Sequence, residues 1–200
     1  MKILAVSDPH GSAAAMKKIK VKSKYVDLIL LAGDFTIFQQ DMEKILKEYD
    51  KMGKRILLIP GNHEDPEDVE QAVDKYKNLV YIDERIYEEE GLIVFGMEGN
   101  GFSLRDKPFE QVSKKYMPLI KKNRKGRTFI LMTHAPPFET KCDIIMEEEH
   151  CGNESIRKFI EKMQPEIAIC GHIHDTFGTE DLIGKTHVMN PGPEGRIINI

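Results

Sequence analysis

The stretch DLILLAGD, residues 27–34, shows the pattern that decides the fold of this chain: an apolar run ends in a glycine and an aspartate. A short apolar run bounded by turn residues is typical of a strand buried on both faces of a parallel sheet. Similar runs occur at 2–7, 55–60, 92–97, 127–133, 166–171 and 194–200. The repetition predicts a core of buried strands whose ends carry polar residues.

Amphipathic stretches separate these apolar runs. Apolar residues recur at helical spacing over 42–52 before Gly53 and over 156–163 before Pro165, so we expect a helix at each place. Further helices are predicted near 12–23, 66–77 and 109–122. The alternation of strands and helices predicts an α/β layered fold. Glycines after residue 172 predict a strand-rich end with hairpins.

The composition bounds the class of protein. The chain has 200 residues, 40 % of them hydrophobic, with 29 Lys and Arg against 33 Asp and Glu and a net charge of −4. We expect one globular domain over residues 1–200. Its apolar runs are far shorter than the roughly 20 residues of a membrane-spanning helix, and the slight acidity disfavours nucleic acid as a partner. Three cysteines and no export-type N-terminus predict a cytoplasmic protein.

Potential metal ligands follow five of the seven predicted strands. The segments are Asp8-Pro9-His10-Gly11, Gly33-Asp34, Gly61-Asn62-His63-Glu64-Asp65, His134-Ala135-Pro136-Pro137 and Gly171-His172-Ile173-His174. The carboxyl ends of parallel strands form the ligand crevice of an α/β sheet, so we expect these side chains to converge. Taken singly, each has a plainer explanation, such as a helix cap, a turn or a buried structural histidine. Together they include five of the seven histidines of the chain, which favours a site.

The chemistry of this set predicts two metal ions. It joins imidazoles and carboxylates with one amide and no thiol, a combination that suits Mn, Fe, Zn, Co or Ni. It is also larger than one tetrahedral ion can use. Two ions that share one carboxylate would use it, and two-ion sites carry out in-line displacement at phosphorus.

The same five segments, in the same order, resemble the five-block signature of calcineurin-like metallophosphoesterases. Residues 133–137 further resemble the small phosphoesterases that are related to class III cyclic-nucleotide phosphodiesterases. The resemblance implies a four-layer αββα sandwich of two mixed β-sheets flanked by helices, with the metals at the strand ends.

The resemblance also implies roles for individual residues. One ion would be held by Asp8, His10 and His174. The second would be held by Asn62, His134 and His172, and Asp34 would bridge the two. His63 would be the catalytic residue, placed over the substrate phosphate, and either Glu64 or Asp65 could tune it. Manganese is the first choice of metal, with Fe, Zn, Ni or Co as alternatives.

The implied reaction is hydrolysis of a small phosphate ester. A hydroxide that bridges the ions would attack phosphorus, and His63 would assist the leaving group. Phosphoprotein phosphatases of this family carry a further Asp and an Arg after the Gly-Asp pair, but here Phe35-Thr36-Ile37-Phe38 follows. The missing Arg favours a phosphodiester over a doubly charged monoester. A monoester would need another cation, such as Arg105.

Two further residues are candidate substrate contacts. Asn100 lies in the glycine-rich segment 97–102, and His150 ends the stretch 138–151, which is predicted to be a long loop. The alternatives to a phosphodiesterase are a phosphomonoesterase or nuclease on the same site and a non-catalytic protein-interaction module with this fold. The sequence leaves the oligomeric state open, homo-oligomers included.

Overall fold

The computed structural model describes residues 1–99, 101, 103–146 and 149–200. Five helices lie within these residues: α1 (Ala13–Ser23), α2 (Met42–Asp50), α3 (Pro66–Val73), α4 (Lys107–Asn123) and α5 (Glu154–Met163). The strands are β1 (Lys2–Val6), β2 (Leu28–Ala32), β3 (Arg55–Ile59), β4 (Leu79–Tyr81), β5 (Arg85–Glu89), β6 (Leu92–Met97), β7 (Thr128–Thr133), β8 (Ile144–Ile145), β9 (Glu149–His150), β10 (Ile167–Ile169), β11 (Glu180–Ile183), β12 (Thr186–Met189) and β13 (Arg196–Asn199).

Two large mixed sheets organise the described residues. The first has the order β13-β1-β2-β3-β4 and is parallel except for β13, which runs antiparallel to β1. The second has the order β11-β12-β10-β7-β6-β5, with parallel strands in the middle and an antiparallel strand at each edge. The parallel strands that lead into the predicted site therefore occupy the middle of both sheets.

The buried side chains form three clusters that separate four layers. One cluster lies between the sheets and joins residues such as Leu30 and Leu57 to Val94 and Ile130. A second packs the outer face of the first sheet against α1, α2 and α3. The third packs the outer face of the second sheet against α4 and α5. This arrangement confirms the predicted αββα sandwich.

The seven predicted strands and five predicted helices all occur, with end points that differ by a few residues. The apolar pattern failed to predict β4 and β5, because β4 has three residues and β5 is an edge strand of sequence RIYEE with no apolar run. In the last third, β11 and β12 form the expected hairpin around Gly184. The strand β13 does not continue it, because it crosses to the first sheet, where Ile198 enters the core between the sheets.

The stretch 138–151, predicted as a long loop, contains some regular structure. Lys141–Asp143 form one turn of 3-10 helix, and β8 pairs with β9 in a short antiparallel ribbon. Within the described residues, no helix combines the length and the apolar character that crossing a bilayer requires.

Candidate metal centre

In the loops that carry the predicted ligands, the backbone adopts an unusual conformation at four residues. Asp8, His10, Asp34 and His172 have φ angles of 53°, 43°, 50° and 72°, a region that residues other than glycine seldom occupy. Each such residue costs on the order of 1–3 kcal/mol, which the surrounding structure must offset. Hydrogen bonds between the loops after β1 and β2 do so: the amide of Asp8 donates to the Gly33 carbonyl at 3.1 Å and that of His10 to the Asp34 carbonyl at 2.9 Å.

Two glycines let the chain approach these carboxylates closely. A methyl group on Gly171 would overlap Oδ2 of Asp8, and one on Gly61 would overlap Oδ1 of Asp34. Gly171 is followed by His172, whose amide donates to Asp8 Oδ1 at 2.9 Å. The segments after β1 and β10, which are far apart in sequence, thus meet at one carboxylate.

The first predicted ligand group comes together as expected. The Nε2 atoms of His10 and His174 lie 3.1 Å apart, and His174 Nε2 lies 3.8 Å from Asp8 Oδ1. The potential ligand atoms of these three residues lie within 4.8 Å of one another. One metal ion can reach all three.

The second group assembles around Asn62. Its Oδ1 lies 3.0 Å from His134 Nε2 and 2.8 Å from His172 Nδ1. Asp34 stands between the two groups, with Oδ2 3.7 Å from His10 Nε2 and 3.4 Å from His134 Nε2. All seven predicted ligands therefore lie at one place, and Asp34 has the position that a bridging ligand needs.

Hydrogen bonds to backbone carbonyls fix which ring nitrogen of His10 and of His134 faces the centre. Nδ1 of His10 lies 2.9 Å from the Thr36 carbonyl, and Nδ1 of His134 lies 2.9 Å from the Ala32 carbonyl. A carbonyl only accepts, so Nδ1 is the donor in both rings, and Nε2 holds the lone pair whenever the ring is neutral. Such a partner is typical of metal-binding histidines.

His63 is held in the opposite tautomer when it is neutral. The amide of Phe38 donates to His63 Nδ1 at 3.3 Å, so the proton of the neutral ring lies on Nε2. That nitrogen lies 3.9 Å from Asp34 Oδ2, and the ring meets the ring of His10 edge-on at 4.8 Å. One ring nitrogen each of His63 and His10 and a carboxylate oxygen of Asp34 lie within 4.8 Å of one another.

Neither Glu64 nor Asp65, which follow His63 in sequence, holds the His63 ring through a described contact. Asp65 caps α3, where it accepts from the amides of Glu67 and Asp68. Glu64 is buried, and its contacts lie in the loops after β2 and β3. The carboxylate close to the ring is that of Asp34.

Sequence reasoning missed the role of Glu64 as the organiser of two ligand loops. Its Oε1 accepts from the amide of Thr36 at 2.7 Å and from the Thr36 hydroxyl at 2.6 Å. Its Oε2 accepts from the amides of Asp34 and Gly61, each at 3.0 Å. Burial raises the pKa of Glu64, against the opposing effect of the hydrogen bonds from Thr36 and Gly61. The spacing of Glu64 after His63 gave no signal of these partners.

Burial and neighbouring charges shift the pKa values of three residues of the centre. Burial acts to lower the pKa of His134, but its hydrogen bond to Asp34 and the charge of that residue raise it to about 9. Burial acts to raise the pKa of Asp34, yet the bond to His134 lowers it. Burial and the nearby His134 lower the pKa of His172 to about 4.

One buried oxygen atom indicates that a cation fits the centre. Oδ2 of Asp8 is buried and accepts no hydrogen bond from the described residues. A buried carboxylate oxygen with no partner costs free energy that a bound cation would offset. The donor set and this oxygen both fit divalent metal ions.

The remaining predicted contacts are Asn100, His150 and, for a monoester, Arg105. Asn100 is outside the described residues. Nδ1 of His150 lies 2.7 Å from Asp143 Oδ1, and the ring faces Phe138 at 6.0 Å. Arg105 is exposed and forms a two-pronged pair with Glu110, at 3.0 and 3.2 Å.

A protein-family model and a curated relative each match most of this chain. The family model of the calcineurin-like phosphoesterases matches residues 1–176. An uncharacterized protein of Methanocaldococcus jannaschii, MJ1162, is 30 % identical over 208 residues, which cover 99 % of this chain and 91 % of that protein.

Two solved structures share the fold. One is a dimetal phosphatase from Danio rerio, with a TM-score of 0.68 and 10 % identity over 94 % of this chain and 86 % of that one. The other is TT1561 of Thermus thermophilus, with a TM-score of 0.73 and 16 % identity over 96 % and 90 % of the two chains. At these identities the likeness concerns the fold alone.

Proposed function

The chain belongs to the calcineurin-like phosphoesterase family, and from that premise we propose that it hydrolyses phosphodiesters at a centre of two divalent metal ions. The first ion would be held by Asp8, His10 and His174. The second would be held by Asn62, His134 and His172, with Asp34 shared between them. Manganese is the metal that we propose first, with Fe, Zn, Ni or Co as alternatives.

The observation that carries the proposal is the position of Asp34 between two complete ligand groups. Its Oδ2 is 3.7 Å from His10 in one group and 3.4 Å from His134 in the other. Oδ2 of Asp8, which is buried and has no hydrogen-bond partner among the described residues, supports the same conclusion from the first group. When bound, two such ions lower the pKa of water toward neutrality and neutralise charge on phosphate oxygens.

His63 would assist the leaving group in this reaction. The bond from the Phe38 amide to Nδ1 leaves the proton of the neutral ring on Nε2, on the side of Asp34. From there the ring can donate a hydrogen bond to a phosphate oxygen and then to the departing oxygen, which stabilises the charge that develops on the leaving group. The hydrogen bonds that orient His10 and His134 keep their Nε2 lone pairs directed at the centre.

The residues that follow Asp34 support a diester over a monoester. The two residues after Asp34 are Phe35 and Thr36, and both are buried. Arg105, the alternative clamp, is paired with Glu110. A phosphodiester carries one negative charge, so it needs less neutralisation than a monoester.

The test is a paired hydrolysis assay on metal-stripped protein reloaded with Mn, Ni, Co, Zn or Mg. We expect bis-p-nitrophenyl phosphate to be turned over faster than p-nitrophenyl phosphate, and His63→Gln to lose at least about 100-fold in kcat. His187→Gln makes the same change at an exposed histidine of β12 and serves as the control. A folded, metal-loaded protein that hydrolyses neither ester overturns the proposal, and a faster monoester overturns its diester part.

We also propose that residues 1–200 form one domain in the cytoplasm. The pairing of the last strand, β13, with the first, β1, supports the single domain. The three free thiols, Cys142, Cys151 and Cys170, support a reducing compartment.

A further inference from the structure

The loop after β2 exposes two apolar side chains beside the centre. Phe38 is 71 % exposed and Ile37 is 45 % exposed, whereas Phe35 in the same loop is fully buried. Phe38 also has a φ of 46°, which is strained for an aromatic residue. The chain thus holds a large apolar ring in solvent, although burying such a ring is favourable.

The loop holds this ring in place through its backbone. The Phe38 amide donates to His63 Nδ1, and the next amide, that of Gln39, donates to the His63 carbonyl and to the Thr36 hydroxyl, both at 3.1 Å. The Phe38 ring lies over the His63 ring with the centroids 4.4 Å apart and the planes at 32°. Phe38 is therefore positioned against the residue that would assist the leaving group.

A cleft of about 330 Å³ adjoins these side chains. His10 lines the cleft at its border with the metal centre, and Ile37, Met16 and Ile45 contribute apolar side chains. Ile37 belongs both to the cleft and to the exposed apolar surface, so the two are continuous. A substituent on a phosphate at the centre has room there.

We propose that Ile37 and Phe38, the apolar platform, bind the organic group of the substrate and that this group is a planar aromatic ring. The inference rests on the proposed function, because the platform adjoins a phosphate only if the centre binds one. A flat ring can stack on an exposed aromatic face at a centroid separation of about 4.5–7 Å. The platform follows Asp34 closely in the sequence.

The test compares non-hydrolysable ligands that differ only in the organic group. Phenylphosphonate, cyclohexylphosphonate and methylphosphonate are titrated by calorimetry into the Mn-loaded protein. We expect phenylphosphonate to bind about tenfold more tightly than methylphosphonate, the order of effect seen when a flat ring stacks on an aromatic side chain. In Phe38→Ala the ratio should fall below about threefold, and in Phe38→Tyr it should persist.

Two features of the chain make the comparison clean. The bond to His63 comes from the Phe38 amide, so Phe38→Ala keeps the donor that fixes the His63 tautomer. Tyr25→Ala removes another exposed ring, which is 67 % exposed and lies before β2, at the end opposite the centre. This control should keep the ratio of the unmodified protein.

The outcomes separate this inference from the function on which it rests. Equal affinity for phenyl- and methylphosphonate, or a ratio unchanged in Phe38→Ala, overturns the platform and leaves the phosphoesterase intact. Equal affinity for the phenyl and cyclohexyl ligands overturns the preference for a planar ring. If the protein binds none of the three phosphonates, the platform fails, and the hydrolysis assay with the diester decides separately whether the proposed function stands.

Discussion

Two segments at the centre are built in opposite ways: the β2 loop, residues 33–41, and the β7 segment, residues 134–153. Each carries a predicted ligand at its start, Asp34 in one and His134 in the other. The β2 loop is held from outside, by Glu64 of the loop after β3. The β7 segment also receives hydrogen bonds from Arg157 and Thr176, but its buried carboxylate, Asp143, accepts hydrogen bonds from within the segment.

The described hydrogen bonds that the Asp143 carboxylate accepts all come from residues of the β7 segment. They come from the amides of Glu139, Thr140 and Gly152 and from Nδ1 of His150. Glu64 instead ties together two loops that each carry predicted ligands. A buried carboxylate can therefore support the geometry of the centre or only the shape of its own segment, and activity and stability should respond differently in the two cases.

The largest effect should come from Asp34→Asn in the β2 loop. The amide cannot replace a carboxylate that lies between His10 and His134. We expect kcat with the diester to fall by about 10³-fold or more, beyond the roughly 10–100-fold typical of residues that only support ligands. Bound Mn, measured by mass spectrometry after dialysis, should fall as well. Undiminished turnover would show that Asp34 is not a ligand of the centre.

Glu64→Gln should have the next largest effect. Each carboxylate oxygen accepts two hydrogen bonds, so an amide NH₂ at either position faces donors. We expect a loss of about 2 kcal/mol in the free energy of unfolding and a Tm lower by about 4–8 °C. Activity per folded molecule should fall about 10–100-fold, because the loops carrying Asp34 and Asn62 lose their shared support.

Assays of Glu64→Gln at a temperature where the variant is fully folded separate the two losses. Calorimetric unfolding gives the stability, and kcat at that temperature gives the activity. A variant that is destabilised but fully active would show that Glu64 supports the fold without supporting the centre.

These two residues show where sequence reasoning works and where it stops. Asp34 was predictable because it follows a continuous apolar run and a glycine, so the strand places it at the sheet edge by itself. Glu64 was not, because its role depends on amides of residues 34 and 36, which only the folded β2 loop brings near. Phe38 is similar: its side chain is of a type that is usually buried, and only the backbone of the β2 loop turns it outward.

The same difference separates the strands that the sequence predicts from those that it does not. The central strands were predicted from their apolar runs, since burial on both faces leaves a local signal. The edge strands β4 and β5 and the crossing of β13 were not, because pairing with a neighbouring strand decides them.

In the β7 segment, Asp143→Asn should lower stability with little effect on activity. The new amide group would face donors that now bond to Asp143, so we expect a loss of about 2 kcal/mol in the free energy of unfolding. Because those donors lie in the same segment, kcat of the folded protein should stay within about threefold. A loss as large as that of Glu64→Gln would contradict the contrast between the two segments.

The smallest effect should come from His150→Gln. The His150 side chain is 35 % exposed and makes its hydrogen bond to Asp143, so losing the ring should cost less than about 1 kcal/mol of stability. We expect kcat/KM for the diester to stay within about twofold of the unmodified protein. The hypothesis that His150 contacts the substrate predicts a rise in KM instead, so kinetics on this variant decide between them. A raised KM with unchanged kcat would show that the β7 segment also binds the ester, and the contrast with the β2 loop would then concern only how each segment is held in place.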